Sequence, residues 1–171
     1  LTEHSFFFQA SSLKAKLMEN PWIENVTIHF NHHDEMQLHI TEKKPIAIWQ
    51  TRKGYIFLDQ HSSKIALLRS IPELFEHLPI IQGEDIETNF QAWLASYPNL
   101  TKLLPMISKI YFINSSRWDI VLHSDILVKL PRENLASALI LLHKMLNNPE
   151  LPSLSMIDLR LAPERIYIKL N

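Results

Sequence analysis

No cysteine occurs among the 171 residues, and that absence removes a disulfide framework, a thiol nucleophile and a thiolate metal site together. Glycine is almost as scarce. Two residues leave no glycine-rich loop to cradle a phosphate. There is no excess of positive charge either, with 17 Lys+Arg against 18 Asp+Glu, which argues against an electrostatic nucleic-acid binder. No apolar run approaches the ~20 residues needed to cross a bilayer. Neither a G-x-S-x-G elbow nor an H-E-x-x-H helix occurs. The chain opens at Leu1 without a Met and is expected to be a fragment of a longer protein.

What is present is an apolar content of 46%, enough to bury a core in one ordinary domain or two small ones. The most ordered pattern lies between Pro21 and Trp49. Val26, Ile28 and Phe30 alternate with Thr27 and His29, and Met36, Leu38 and Ile40 alternate with Gln37 and His39. A period of two gives each strand one buried and one wet face. Pairing Phe30 with Met36, Ile28 with Leu38 and Val26 with Ile40 puts both apolar sets on one face. A slip of one residue would destroy that match, so the register is well specified.

The remaining elements follow from periodicity and punctuation. Ser11 or Ser12 is expected to cap a helix ending near Asn20, with Leu13 and Leu17 inward, and Pro21 stops it. Pro45 ends the second hairpin strand. Short strands are expected at 46–50, 55–58 and 65–68, then an extended segment at 78–83. Glu84 and Asp85 begin a helix with Ile86, Phe90, Trp93 and Leu94 inward. A second helical piece at 99–106 leads to three strands, at 107–113, 117–123 and 126–130; in the middle one Trp118, Ile120 and Leu122 face in while Arg117, Asp119 and His123 face out. Residues 132–147 form the clearest helix, with a stripe of Leu135, Leu139, Leu142 and Leu146. Two strands close the chain, at 156–161 and 165–170, with Ile166, Ile168 and Leu170 inward. The fold class is α+β, a mixed sheet with helices packed on it.

Chemistry-bearing clusters are few. His29, His32, His33, Asp34 and Glu35 invite a metal reading, but their spacing matches no motif of defined geometry, and solvent-facing histidines need no partner. Glu84, Asp85 and Glu87 are better explained by the positive end of the helix they begin than as paired acids. Lys43 and Lys44 are too few for a nucleic-acid footprint. Trp93, Trp118 and Phe112 fall on inner faces and read as core. No catalytic constellation and no metal ligand set is expected. The last strand, 165–171, has no later element to cover its outer edge, so its free N–H and C=O groups are expected to dock a partner by strand addition.

Leu13, Leu17, Pro21-Trp22-Ile23, Val26, Ile28, the hairpin, Glu42, Pro45, Ala47 and Trp49 together resemble the POTRA domain of the FtsQ/DivIB cell-division proteins. Leu58-Asp59, Leu78-Pro79 to Gly83, Arg117-Trp118, Lys129-Leu130-Pro131 and Ile157-Asp158-Leu159-Arg160 resemble that family's second, β domain, so the likeness covers nearly the whole chain. It implies residues 1–50 as a POTRA-like domain truncated at its N-terminus and 51–171 as the β domain. It also implies a non-enzymatic scaffold anchored in the bacterial inner membrane by a helix upstream, this part being periplasmic in a Gram-negative cell. The implied partners are FtsB and FtsL, and no cofactor is implied. In the family, FtsB is bound by strand addition to the last strand together with the preceding helix. The partner-binding residues would here be Arg160, Leu161, Arg165, Ile166, Tyr167, Ile168 and Lys169. The chain departs from the family in three places. His61-Ser62-Ser63 and Ser124-Asp125 stand where a glycine is usual, and Leu161 stands where an aromatic often follows the Arg. The first strand and helix of a POTRA domain do not fit in the few residues before Phe6.

Two other readings compete. A POTRA module of a translocation or assembly machine would bind passing strands, but repeated POTRA units should then recur, and no repeat is present. A His-based metal-binding protein would be built on the turn at residues 31–35.

Overall fold

The computed structural model describes residues 2–30, 35–97, 100–148 and 152–170, in two compact units that divide between Lys44 and Pro45. The first unit is a helix and a hairpin. Helix α1 spans Thr2–Met18. It starts well before the expected serine caps, and Ser11 and Ser12 stand mid-helix on its exposed side. Ala10, Leu13 and Leu17, at i, i+3 and i+7, form its covered side. The chain leaves the helix where the Asn20 backbone N–H donates to the Leu17 carbonyl (3.1 Å) and the Asn20 side-chain oxygen accepts from the Trp22 N–H (3.0 Å).

Strands β1 (Ile23–Phe30) and β2 (Met36–Glu42) pair antiparallel in the register that the alternation demands: Phe30 with Met36, Ile28 with Leu38, Val26 with Ile40. The apolar face is only partly covered. Ile23 and Val26 are buried, whereas Phe30, Met36, Leu38 and Ile40 remain 38–47% exposed. Helix α1 packs against β1, which leaves the β2 half of that face exposed.

The second unit is a nine-stranded mixed sheet in the order β11-β10-β9-β8-β7-β6-β3-β4-β5. Its strands are β3 (Ala47–Thr51), β4 (Gly54–Leu58), β5 (Lys64–Leu68), β6 (Ile80–Gln82), β7 (Ile107–Ile113), β8 (Arg117–Leu122), β9 (Leu127–Lys129), β10 (Leu154–Asp158) and β11 (Tyr167–Leu170). The expected division after residue 50 therefore shifts. Residues 47–51 pair with β4 and β6 and belong to the larger sheet. Parallel pairs join β3 to β6, β6 to β7 and β9 to β10; the other neighbours are antiparallel.

Helices α2 (Ile86–Ser96), α3 (Leu100–Leu103) and α4 (Leu135–Leu146) accompany the sheet. Helix α2 buries Ile86, Phe90 and Trp93, and α4 buries Ala138, Leu139 and Leu142, in one core with Ile81, Ile110, Ile120, Val128 and Ile157 of the strands. The aromatic residues expected in the core are there. Phe112 stacks on its cross-strand partner Trp118 at 4.3 Å between ring centres, and Trp93 lies 5.4 Å from Trp118. On the opposite face Ile48 and Phe57 are fully buried, with Phe75, from a single 3-10 turn at Glu73–Phe75, edge-on to Phe57 at 5.2 Å.

Gly83 ends β6 where a Cβ would stand 2.7 Å from that of Phe112, and its carbonyl accepts the Trp49 indole N–H at 3.1 Å. Elsewhere the scarcity of glycine forces other residues into left-handed backbone: Ser62, Asp85, Asn114, Ser115, Asp125 and Asn134 all have positive φ. Ser62 and Asp125 occupy the two turns where the family's glycine is missing. The turns keep a glycine-like conformation without the glycine.

Candidate interaction edge

The C-terminal end of the sheet is built from the residues expected to matter. Strand β11 pairs antiparallel with β10, Asp158 opposite Tyr167, Ile157 opposite Ile168 and Met156 opposite Lys169. It closes the sheet order, and no strand among the described residues lies on its other side. Its four residues are all exposed, Ile168 at 51% and Leu170 at 57%. Ile166, Ile168 and Leu170 were expected to face inward. They lie instead beyond the cover of the helices, although Ile168 sits across from the fully buried Ile157. An edge that combines free backbone groups with uncovered apolar side chains has the makings of an association surface.

Beside that edge a row of side chains crosses five strands at one level. Tyr111, Asp119, Lys129, Asp158 and Tyr167 are successive cross-strand partners on β7, β8, β9, β10 and β11. Asp119 and Asp158 are 4% and 6% exposed. Asp119 was expected to face solvent. It does stand on the face opposite Trp118 and Ile120, but Arg117, two residues away on the same face, covers it. The Arg117 Nε and Nη2 donate to the two carboxylate oxygens at 3.1 and 3.2 Å. Asp158 is held more tightly. Arg160 donates from Nε (2.9 and 3.0 Å), from Nη2 (2.6 Å) and from its backbone N–H (3.1 Å). A fork of charge-assisted bonds of this kind is what makes burial of a carboxylate tolerable. Hydrogen bonding from Arg160 holds the Asp158 carboxyl below the usual carboxylate range, against the opposing effect of its burial. The same bond raises the Arg160 guanidinium further above its already high value.

Two open clefts adjoin the row. One, of about 620 Å³, is lined by Lys129, Met156, Asp158, Arg160, Leu161 and Tyr167. The other, of about 420 Å³, brings Arg117, Arg132 and Arg160 together with Glu133 and Glu164. Of the seven residues expected to bind a partner, Arg160, Leu161 and Tyr167 share the first cleft. Ile168 turns to the other face of β11, Lys169 stands on the Tyr167 face, and Arg165 and Ile166 sit exposed just before the strand. Sequence reasoning missed Arg117, Lys129 and Arg132 as neighbours of the edge. The one signal available was an Arg and an Asp two residues apart, occurring twice, as Arg117 and Asp119 on β8 and as Asp158 and Arg160 at the end of β10.

No group of three His, Asp or Glu side chains fit to hold a metal occurs among the described residues. Residues 31–34 of the turn that the metal reading rested on lie outside them. Glu87 pairs with Lys64 at 2.8 Å, and Asp85 precedes α2 in left-handed backbone. No described helix is long and apolar enough to cross a membrane.

The chain is similar to known proteins over most of its length. Residues 47–160 match the model of the cell division protein FtsQ/DivIB, C-terminal family. Cell division protein FtsQ of Rhizobium radiobacter is 31% identical over 160 residues, covering 92% of this chain and 75% of its own. FtsQ of Agrobacterium fabrum is also 31% identical over 92% of this chain, and FtsQ of Bradyrhizobium diazoefficiens is 26% identical over 96%. The chain spans about half the length of these last two. Among solved structures, the major extracytoplasmic domain of DivIB from Geobacillus stearothermophilus aligns with a TM-score of 0.42 at 17% identity, over 57% of this chain and 85% of that one. A family match over residues 47–160 and relatives over nine-tenths of the chain agree on one assignment: this chain belongs to the FtsQ/DivIB family of cell-division proteins.

Proposed function

We propose that this chain is the extracytoplasmic part of a membrane-anchored division scaffold without catalysis, whose β11 edge binds FtsB- and FtsL-like partners by strand addition. On this reading residues 1–44 are the remaining part of a POTRA domain that helps recruitment to the division site, and 45–171 are the β domain. The chain works on the periplasmic face of the inner membrane.

One observation carries the reading. The sheet ends in a strand whose backbone edge is unpaired among the described residues and whose side chains are all exposed. An added strand would find main-chain hydrogen bonds along β11, with alternate side chains meeting Ile168 and Leu170 on one face, Tyr167 and Lys169 on the other. Arg160 already satisfies Asp158, yet its side chain is 45% exposed, so it can also meet an acidic residue flanking the incoming strand.

The test is a calorimetric titration with the extracytoplasmic segment of the FtsB-like protein from the same organism. Ile168→Pro is expected to weaken binding at least tenfold, since Pro both lacks a donor and distorts an added ladder. Tyr167→Asp, which leaves the backbone intact, is expected to weaken it through repulsion of an acidic flank. Unchanged affinity in both folded variants would overturn strand addition.

A further inference from the structure

The hairpin of the first unit carries a feature that the division role does not use. His29 on β1 and His39 on β2 are diagonal neighbours, since Thr27 pairs with His39 and His29 with Gln37. Their rings meet edge to face with centres 5.7 Å apart. Both are exposed, and both lie on the face opposite the apolar set. We propose that His29 and His39 form a two-imidazole site for a divalent late transition-metal ion such as Zn²⁺, Ni²⁺ or Cu²⁺.

Three observations support it. The first is distance. With metal–nitrogen bonds of about 2.0–2.1 Å and a ring nitrogen about 1.1 Å from its ring centre, two imidazoles on one tetrahedral ion have centres about 5 Å apart. The present separation of 5.7 Å exceeds that by less than about 1 Å. The second is chemistry. Neutral imidazole favours the borderline metals over Mg²⁺ or Ca²⁺, which take oxygen ligands. The third is the electrostatic setting. The other side chains that the register places on this face are Asn25, Thr27, Gln37 and Thr41, so no lysine or arginine of the two strands repels a cation there. The strands fix both ligands in advance, which lowers the ordering cost of chelation. Two protein ligands leave the remaining positions to water or to a donor from another molecule, so the site is weaker than a closed four-ligand one.

The test is calorimetric titration of the chelator-treated chain with Zn²⁺, Ni²⁺ and Cu²⁺ near neutral pH, with the histidine ring signals followed by NMR. One ion per chain is expected, with the His29 and His39 signals moving first. His29→Gln and His39→Gln are each expected to weaken binding at least tenfold, while a His32→Gln/His33→Gln variant keeps the one-to-one site. Absence of stoichiometric binding by the unsubstituted chain would overturn the proposal. So would binding that survives the His29→Gln/His39→Gln double change, or that is lost with His32 and His33 alone.

Discussion

Asp158 shows how much one buried carboxylate depends on its partner. Its oxygens are almost fully covered, and four hydrogen bonds from Arg160 hold it ionised. Because its folded pKa lies below the ordinary 3.8, its contribution to stability is fully present above that value and is lost as pH falls through the lower folded value. The stability difference between the native chain and Asp158→Asn is therefore expected to shrink as pH falls below the ordinary 3.8, measured by urea denaturation at a series of acidic pH values. A constant difference would mean that the carboxylate's charge is not what Arg160 stabilises. Substituting Arg160 is expected to destabilise the chain as well, because it leaves the buried Asp158 carboxylate without its charged donor.

At the scale of elements, the turns deserve as much weight as the strands. Ser62 and Asp125 both hold left-handed backbone, a conformation that costs an L-residue about 1–2 kcal/mol, less for Asp. Their side chains differ in what they return. Ser62 donates its hydroxyl to the Glu87 carbonyl at 2.8 Å and is buried, tying the β4–β5 turn to the first turn of α2. Asp125, exposed, makes its turn through the backbone alone, its N–H donating to the Leu122 carbonyl. Both changes relieve left-handed backbone, so Ser62→Gly is expected to fall about 1 kcal/mol short of Asp125→Gly through its lost hydrogen bond, a difference that chemical denaturation of the two variants measures.

Local pattern made some elements legible and misled on others. The β1–β2 register could be read directly, because period-two alternation in both strands admits a single match. The inner faces of α2 and α4 followed from their 3.6-residue stripes. The start of α1 was misplaced because serines at 11 and 12 look like caps, although a serine inside a helix costs little. The inward assignment of Ile166, Ile168 and Leu170 failed because alternation reports which side chains share a face. It does not report whether another layer covers that face.

For the molecule as a whole, sheet order was the illegible part. The parallel ladders joining β3 to β6, β6 to β7 and β9 to β10 link segments far apart in sequence, and no short-range signal encodes them. Arg117 and Arg160 meet in one cleft through one of these, the β9–β10 ladder, together with the antiparallel β8–β9 pairing. The nine strands of the larger sheet and its continuous core lie in 45–171, so a chain restricted to those residues is expected to fold alone with a cooperative urea transition. A broad, non-cooperative transition would show that residues 1–44 contribute to its core.

The strand order has a mechanical consequence. A pull between the chain entering at Pro45 and a strand docked on β11 crosses the sheet sideways, through the ladders β3–β6, β6–β7, β7–β8, β8–β9, β9–β10 and β10–β11 in series. Such a chain of links yields at its shortest member. The β3–β6 ladder pairs only Ile48 with Ile80 and Trp49 with Ile81, and it is parallel, the slightly weaker geometry per residue. The Trp49 indole bond to the Gly83 carbonyl lies beside that short ladder like a rivet across a seam. Under tension this seam, far from β11, is where the sheet would first part.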